Sequence, residues 1–304
     1  MAQPPRDPDL CVITCALTGV LANRKQCAGI PYTPVEIAEE AKRAYDAGAS
    51  VVHIHARNDD GTPTFSPAVF AQIKEEITKR CPVLLNFSTG TISEDVTEQC
   101  TYLKESRPHI GALNMGTMNY SKYSESRKSF VFDMVFPNTY GKIIKMIAAM
   151  NEAGVKPELE CFDTGHTHGV WPLLDMGLLK QPLQFSFIVN VLGGIPPLVE
   201  SLQLQTKLMP PGSEWEVIGI SKCGWRMIGA ALALGGNIRA GLEDNLYLPN
   251  GEMARSNGDL IEVAARMTRD CGRKVATVEQ ARQILSLDQF KPEPKAPEAA
   301  GASA

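Results

Sequence analysis

Eight times between residues 11 and 271, a short apolar run closes on a cluster of Gly, Ser, Thr or Asn and gives way to an amphipathic stretch. The runs fall at 11–17, 51–55, 82–87, 111–115, 156–162, 183–191, 214–219 and 237–241. The stretches between them have helical periodicity and helical punctuation. Thr33-Pro34-Val35-Glu36, for example, offers an N-cap, a proline at the first helical position and a glutamate to complete a capping box, ahead of a helix to Ala47 that stops at Gly48. Strand and helix in strict alternation require a parallel sheet, and eight units in about 250 residues are what a (β/α)8 TIM barrel of the α/β class needs. An open doubly wound sheet is the alternative. It would carry G-x-G-x-x-G after the first strand, and this chain offers only Gly193-Gly194, far downstream. Residues 118–137 read as a loop. Thr277 with Gln280 opens one further helix over 277–287, so residues 1–289 read as a single barrel domain with an extra C-terminal helix, and 290–304 as a disordered tail of Pro, Ala, Glu and Lys.

Composition narrows the function. A net charge of -4 with dispersed basic residues gives no surface for nucleic acid. No apolar run approaches the roughly 20 residues that span a bilayer, so no membrane association is expected. The opening Met-Ala-Gln-Pro-Pro-Arg-Asp-Pro has no signal-peptide core, and the eight cysteines, at 11, 15, 27, 81, 100, 161, 223 and 271, form no C-x-x-C pair. Free, buried thiols in a cytoplasmic protein are the expectation.

The chemistry concentrates at strand ends, because side chains there converge on one mouth of a barrel. In Val51-Val52-His53-Ile54-His55 the histidines are two residues apart and project from one face of a strand, with Cα atoms roughly 6.6 Å apart. Two imidazoles so placed can share a metal ion, and burying them unpaired would be costly. A catalytic zinc takes three protein ligands and keeps one position open. A carboxylate from Arg239-Ala240-Gly241-Leu242-Glu243-Asp244-Asn245 would complete the set, either Glu243 or Asp244, unless both merely form surface ion pairs or cap a turn. Ser88, Thr89 and Thr117 also end strands. Weaker candidates are His166 and His168, read as a loop pair; Arg57, Lys222 and Arg226, placed to meet an anion; and His109, read as exposed. Trp171, Trp215 and Trp225 read as core or subunit-contact residues.

Taken together and in order, Ile13-Thr-Cys-Ala-Leu-Thr-Gly19, Thr33-Pro-Val-Glu-Ile-Ala38, His53-Ile-His-Ala-Arg57, Phe87-Ser-Thr-Gly90, Asn114-Met-Gly-Thr-Met-Asn119, Gly193-Gly194 and Arg239-Ala-Gly-Leu-Glu-Asp-Asn245 resemble the β-keto acid cleavage enzymes over residues 10–287. The resemblance implies a zinc-dependent barrel that converts a β-keto acid and acetyl-CoA to acetoacetate and a new acyl-CoA, through enolate formation, CoA transfer and retro-Claisen cleavage. It assigns His53, His55 and Glu243 to zinc, Arg239 and Asp244 to proton removal, and Ser88 and Thr117 to the substrate. An aspartate beside an arginine is expected to be a weak base, since the cation lowers its pKa.

Leu21 departs from the pattern, standing where family members that act on an aminated keto acid carry a glutamate. An aminated substrate is therefore disfavoured, leaving a far end that is apolar, hydroxylated or, through Arg24 and Lys25, acidic. The resemblance also implies a homo-oligomer, a tetramer, with the extra C-terminal helix as a candidate contact. Two rival readings are a metal-dependent hydrolase or aldolase, against which the supply of only five histidines counts, and an inactive metal-binding barrel acting as sensor or scaffold.

Overall fold

The alternation of strand and helix closes on itself. The computed structural model describes residues 7–292. Its barrel strands are β1 (Ile13–Ala16), β2 (Val51–Ile54), β3 (Leu84–Phe87), β4 (Ile110–Asn114), β5 (Lys156–Cys161), β6 (Gln184–Val189), β7 (Glu214–Gly219) and β8 (Asn237–Ala240). Each pairs in parallel with the next, and β8 pairs with β1 through Arg239 opposite Thr14, completing the (β/α)8 barrel. The capping box before Pro34–Ala47 is formed, with Thr33 and Glu36 each accepting from the other's backbone N–H.

Period-two alternation divides every strand between two environments. The outward residues, such as Val52 and Ile54, Leu85 and Phe87, Leu159 and Cys161, Phe185 and Phe187, build the main core under the helices. The inward residues are unusually polar for a barrel lumen, which branched aliphatic side chains ordinarily fill. Glu158 accepts from Asn86 and Gln184 at 2.5 and 3.1 Å, and Glu216 accepts from Thr14 and Ser186 at 2.7 and 3.1 Å. These pairs tie five strands together across the barrel interior.

The helix Val278–Ile284, with its Thr277–Gln280 capping box, closes the bottom. Ala281, Leu285 and Leu287 pack on Val12, Val51, Leu84 and Ile110, the lowest inward residues of the barrel and its approach. Its apolar face packs on its own barrel. The expected disordered tail lies, from residue 293 onward, outside the described residues; Phe290 still meets the Lys156 ammonium, 5.3 Å from its ring centroid.

Two connections differ from the sequence reading. Residues 118–137 are an antiparallel hairpin, Met118–Ser124 with Ser129–Phe136. The stretch expected as one helix to about Leu179 is two short ones, Thr164–His168 and Val170–Asp175. The hairpin rests on the mouth through the bridge between Ser121 and Leu192. Gly193 makes that docking possible. Its φ is +104°, and a Cβ there would stand 1.9 Å from the Asn119 carbonyl oxygen. The Gly193-Gly194 pair thus serves backbone packing, not a dinucleotide.

Candidate active site

At the C-terminal end of the barrel lies a cavity of about 400 Å³ whose floor is the last inward layer of the strands. On β2 the inward series is Val51, His53, and His55 just past the strand's end, so the imidazoles stand one above the other, ring centroids 5.2 Å apart. Glu243 reaches between them from the turn after β8, with Oε1 3.3 Å from His55 Nε2 and Oε2 3.7 Å from His53 Nε2. Gly19, at φ +56°, lets the first βα loop pass directly over that side chain; a Cβ there would meet Glu243 Cγ at 2.7 Å.

The donor atoms of His53, His55 and Glu243 lie within 4.8 Å of one another, and Glu243 Oε2 is buried without a hydrogen-bond partner. Two nitrogens and one carboxylate oxygen, one of them orphaned, suit a zinc-sized cation with an open position. A second cluster, His53, Glu158 and Glu160, lies just beneath and shares His53. Burial, then Arg239, keeps the His53 imidazole well below its usual pKa and so neutral. Burial pushes the Glu243 carboxyl up, but Arg239, His55 and His53 outweigh it and hold the group well below the usual carboxylate range.

Arg239, inward on β8, is the hub of the floor. Its Nε and Nη2 donate to Asp244 Oδ2 and Oδ1 at 2.9 Å each, a bidentate pair, and Nη2 also lies 2.8 Å from Glu243 Oε1. Contrary to the expectation of an aspartate made weakly basic by its cation, Asp244 is pushed up to about 6. Burial and the Glu243 charge outweigh the guanidinium.

Three residues of the cavity escaped the sequence reading. Glu160, inward on β5, lies 3.7 Å from Arg239 Nη1, and burial pushes its carboxyl up to about 8. The E-x-E spacing of Glu158 and Glu160 is the same strand signal that exposed the H-x-H pair. Asn114 ends β4 inside the cavity. Tyr120 comes from the hairpin; burial, then Glu243, pushes its hydroxyl up to about 12.

Ser88 and Leu21 line the cavity as expected of substrate residues, Leu21 at its rim with 59% of its surface exposed. Thr117 does not line it. Its Oγ1 accepts from Asn138 N at 2.8 Å and fixes the foot of the hairpin instead. The other candidates are also structural or peripheral. Arg57 is buried and donates to the carbonyls of Thr18, Gly19, Ala22 and Gly61, while Lys222 and Arg226 are exposed and do not line the cavity. His166 is buried in a helix, not a loop, and accepts from Phe162 N. His109 is largely buried, not exposed, and accepts from Leu85 N at 3.0 Å. Neither they nor His168 join a metal cluster among the described residues, which removes the histidine supply a metal-dependent hydrolase would need. Of the tryptophans only Trp215 is fully buried.

Comparison with known proteins now has a geometry to meet. A family profile described as beta-keto acid cleavage enzyme matches residues 10–287. A 3-keto-5-aminohexanoate cleavage enzyme of Fusobacterium nucleatum is 35% identical over 91% of this chain and 97% of its own length. A 3-oxoadipate:acetyl-CoA acetyltransferase of Cupriavidus necator is 31% identical over 98% of this chain and the whole of its own. Among solved structures, apo ObcA superposes with a TM-score of 0.71 at 19% identity, over 86% of this chain and 65% of that one, a likeness of fold. A profile that runs from the first strand to the C-terminal helix, and relatives above 30% identity along nine-tenths of the sequence, lead to one conclusion: this chain belongs to the family of beta-keto acid cleavage enzymes.

Proposed function

We propose that this protein is a zinc-dependent enzyme that takes a β-keto acid and acetyl-CoA to acetoacetate and an acyl-CoA. The observation that carries the proposal is the convergence of His53, His55 and Glu243 with the Arg239–Asp244 pair on the floor of one cavity. His53, His55 and Glu243 would hold the zinc, which when bound supplies Lewis acidity to the oxygens of a chelating β-keto acid.

The chain's own groups account for the proton and carbon chemistry. Asp244 accepts the proton from the carbon between carboxylate and ketone, and Arg239 fixes the orientation of its oxygens through two hydrogen bonds. The enolate carbon so formed attacks the acetyl thioester, and the released CoA thiolate adds to the substrate's keto carbon. Cleavage between that carbon and the former enolate carbon then yields acyl-CoA and the enolate of acetoacetate, which takes back the proton held by Asp244. The Ser88 hydroxyl and Asn114 amide stand in the same cavity to donate to oxygens that become negative along the way. Thr117, assigned to the substrate by resemblance, has no part in this reading.

A cytoplasmic location is supported by eight unpaired thiols, six of them buried. A homotetramer is supported by Phe130, Val131 and Val135, large apolar residues exposed together on the hairpin; light scattering checks the subunit count. Among the described residues no helix is long and apolar enough to cross a membrane.

The function is tested by incubating the zinc-loaded enzyme with a panel of β-keto acids and carbonyl-labelled acetyl-CoA, reading products by mass spectrometry. Label in the ketone carbon of acetoacetate, with a matching acyl-CoA, is the expected result. Hydrolysis or aldol products, or none, overturn the proposal.

A further inference from the structure

The cavity is divided. Its ionisable lining residues, His55, Glu160, Arg239, Glu243 and Asp244, all belong to the floor and are one another's partners. The wall above them is apolar and includes five separate segments: the loops after β1, β2, β3 and β7, and the hairpin. Gly90 marks the border. A Cβ there would touch the Asn114 amide at 3.4 Å, the Phe136 ring at 3.7 Å and the Ser88 hydroxyl at 3.8 Å.

We propose that the β-keto acid this enzyme takes has an apolar, uncharged chain, lying along Leu21, Phe65, Ile92, Tyr120, Phe136 and Ile220. The proposal rests on the reading of the floor as a β-keto acid cleavage site, because that reading directs the carboxylate and ketone to the floor and the remaining chain to the wall.

Among the residues that line the cavity the one cation is Arg239, and it is spent on the carboxylates of the floor. Arg24 pairs with Glu36 at 2.5 Å and lies 4.1 Å over the Tyr32 ring. Lys142 donates to the carbonyls of Thr91 and Pro137. Arg57 is saturated by four backbone carbonyls. An ammonium end fares no better, since every lining carboxyl sits in the floor. A charge carried to this wall loses water and gains no partner, whereas each methylene laid against it improves binding about fourfold. Arg24 and Lys25, expected to favour an acidic end, do not line the cavity.

The deciding comparison is 3-oxohexanoate against 3-oxoadipate, which differ by a terminal methyl in place of a carboxylate, with 3-keto-5-aminohexanoate as the cationic counterpart. At saturating acetyl-CoA, kcat/KM for 3-oxohexanoate is expected to exceed that for either charged acid by at least about 100-fold. Leu21→Glu, at an exposed position that leaves the fold intact, is expected to cut the 3-oxohexanoate value about tenfold and raise the 3-keto-5-aminohexanoate value by a similar factor.

A charged acid within tenfold of 3-oxohexanoate overturns the proposal and leaves the cleavage function standing. So does a Leu21→Glu enzyme whose KM for acetyl-CoA rises while the ratio among keto acids stays fixed, since the wall would then serve the thioester arm. Failure of every keto acid to react overturns the cleavage function itself, and this inference with it.

Discussion

Asp244 is held on both oxygens by Arg239 and yet carries a carboxyl raised by burial, so orientation and basicity are set by different neighbours. Asp244→Asn keeps the size and part of the hydrogen bonding while removing the proton acceptor. Turnover is expected to fall about 10³-fold with zinc content unchanged, read by steady-state rates alongside elemental analysis; near-normal turnover removes Asp244 as the base. His109 gives a second prediction, far from the chemistry. Burial, then Arg282 and Lys74, lowers its pKa to about 4, and the neutral ring accepts from Leu85 N at the start of β3. The unfolded chain binds this proton below about pH 6.5 and the folded one only below about 4, so stability should fall as pH drops through that window and level off beneath it. The loss from this group is up to about 3 kcal/mol. His109→Gln, which keeps an acceptor that does not titrate, should flatten that part of the curve in urea unfolding at pH 7 and 4.5. An unchanged slope would mean that other groups cause it. His53, His55, Arg239, Glu243 and Asp244 were legible as candidates because strand periodicity and strand ends announce where such side chains converge. Glu158 and Glu160 were equally legible by the same spacing, but lie in mid-strand, where polar residues in a lumen are not expected. Thr117 shows the opposite failure: a hydroxyl after a strand end can as well cap a hairpin as face the mouth.

The barrel strands were readable from their punctuation, since each apolar run ends where the chain must turn into a helix. The hairpin was not, because it stands outside the barrel and the strand Ser129–Phe136 is exposed or half-buried along its whole length. A signal was present: Phe130, Phe132, Met134 and Phe136 alternate at the strand period. Val131 and Val135 between them blur it. What the hairpin brings to the mouth is Tyr120, Met134 and Phe136, held as a cluster by the stacking of Tyr120 on Phe132 at 5.9 Å and its edge contacts with Phe136 and Phe162. Gly193→Ala drives a methyl into the Asn119 carbonyl at a φ that alanine rarely adopts, so the element most disturbed is the hairpin's seat. The far-ultraviolet dichroism of the barrel should persist while kcat/KM for the keto acid drops about 10- to 100-fold. Wild-type kinetics would show that the hairpin's position does not shape the cavity.

Across the whole molecule, the barrel carries more negative charge than its own cations answer. Above Lys156 at the floor of the lumen stand Glu158, Glu160, Glu216, Glu243 and Asp244, with Arg239 as the guanidinium among them. Burial raises the carboxyls of Glu160 and Glu216, and Glu160, at about 8, keeps its proton near neutral pH. The Glu243 carboxyl is held well below the usual range. A divalent cation between β2 and the turn after β8 would offset this charge and tie together two segments that only β1 separates, so it should stabilise the fold as well as serve the reaction. A ligand bound only by the folded state adds about 4 kcal/mol at a thousand times its dissociation constant, enough to move the melting temperature of a chain this size by about 5–10 °C. Chelation should therefore lower the melting temperature by about that much and zinc restore it. His55→Gln should melt lower than the wild type with zinc present and respond far less to chelator. Equal melting temperatures with and without chelator, in protein verified metal-free, would mean that the imidazoles and Glu243 are held together by the barrel alone.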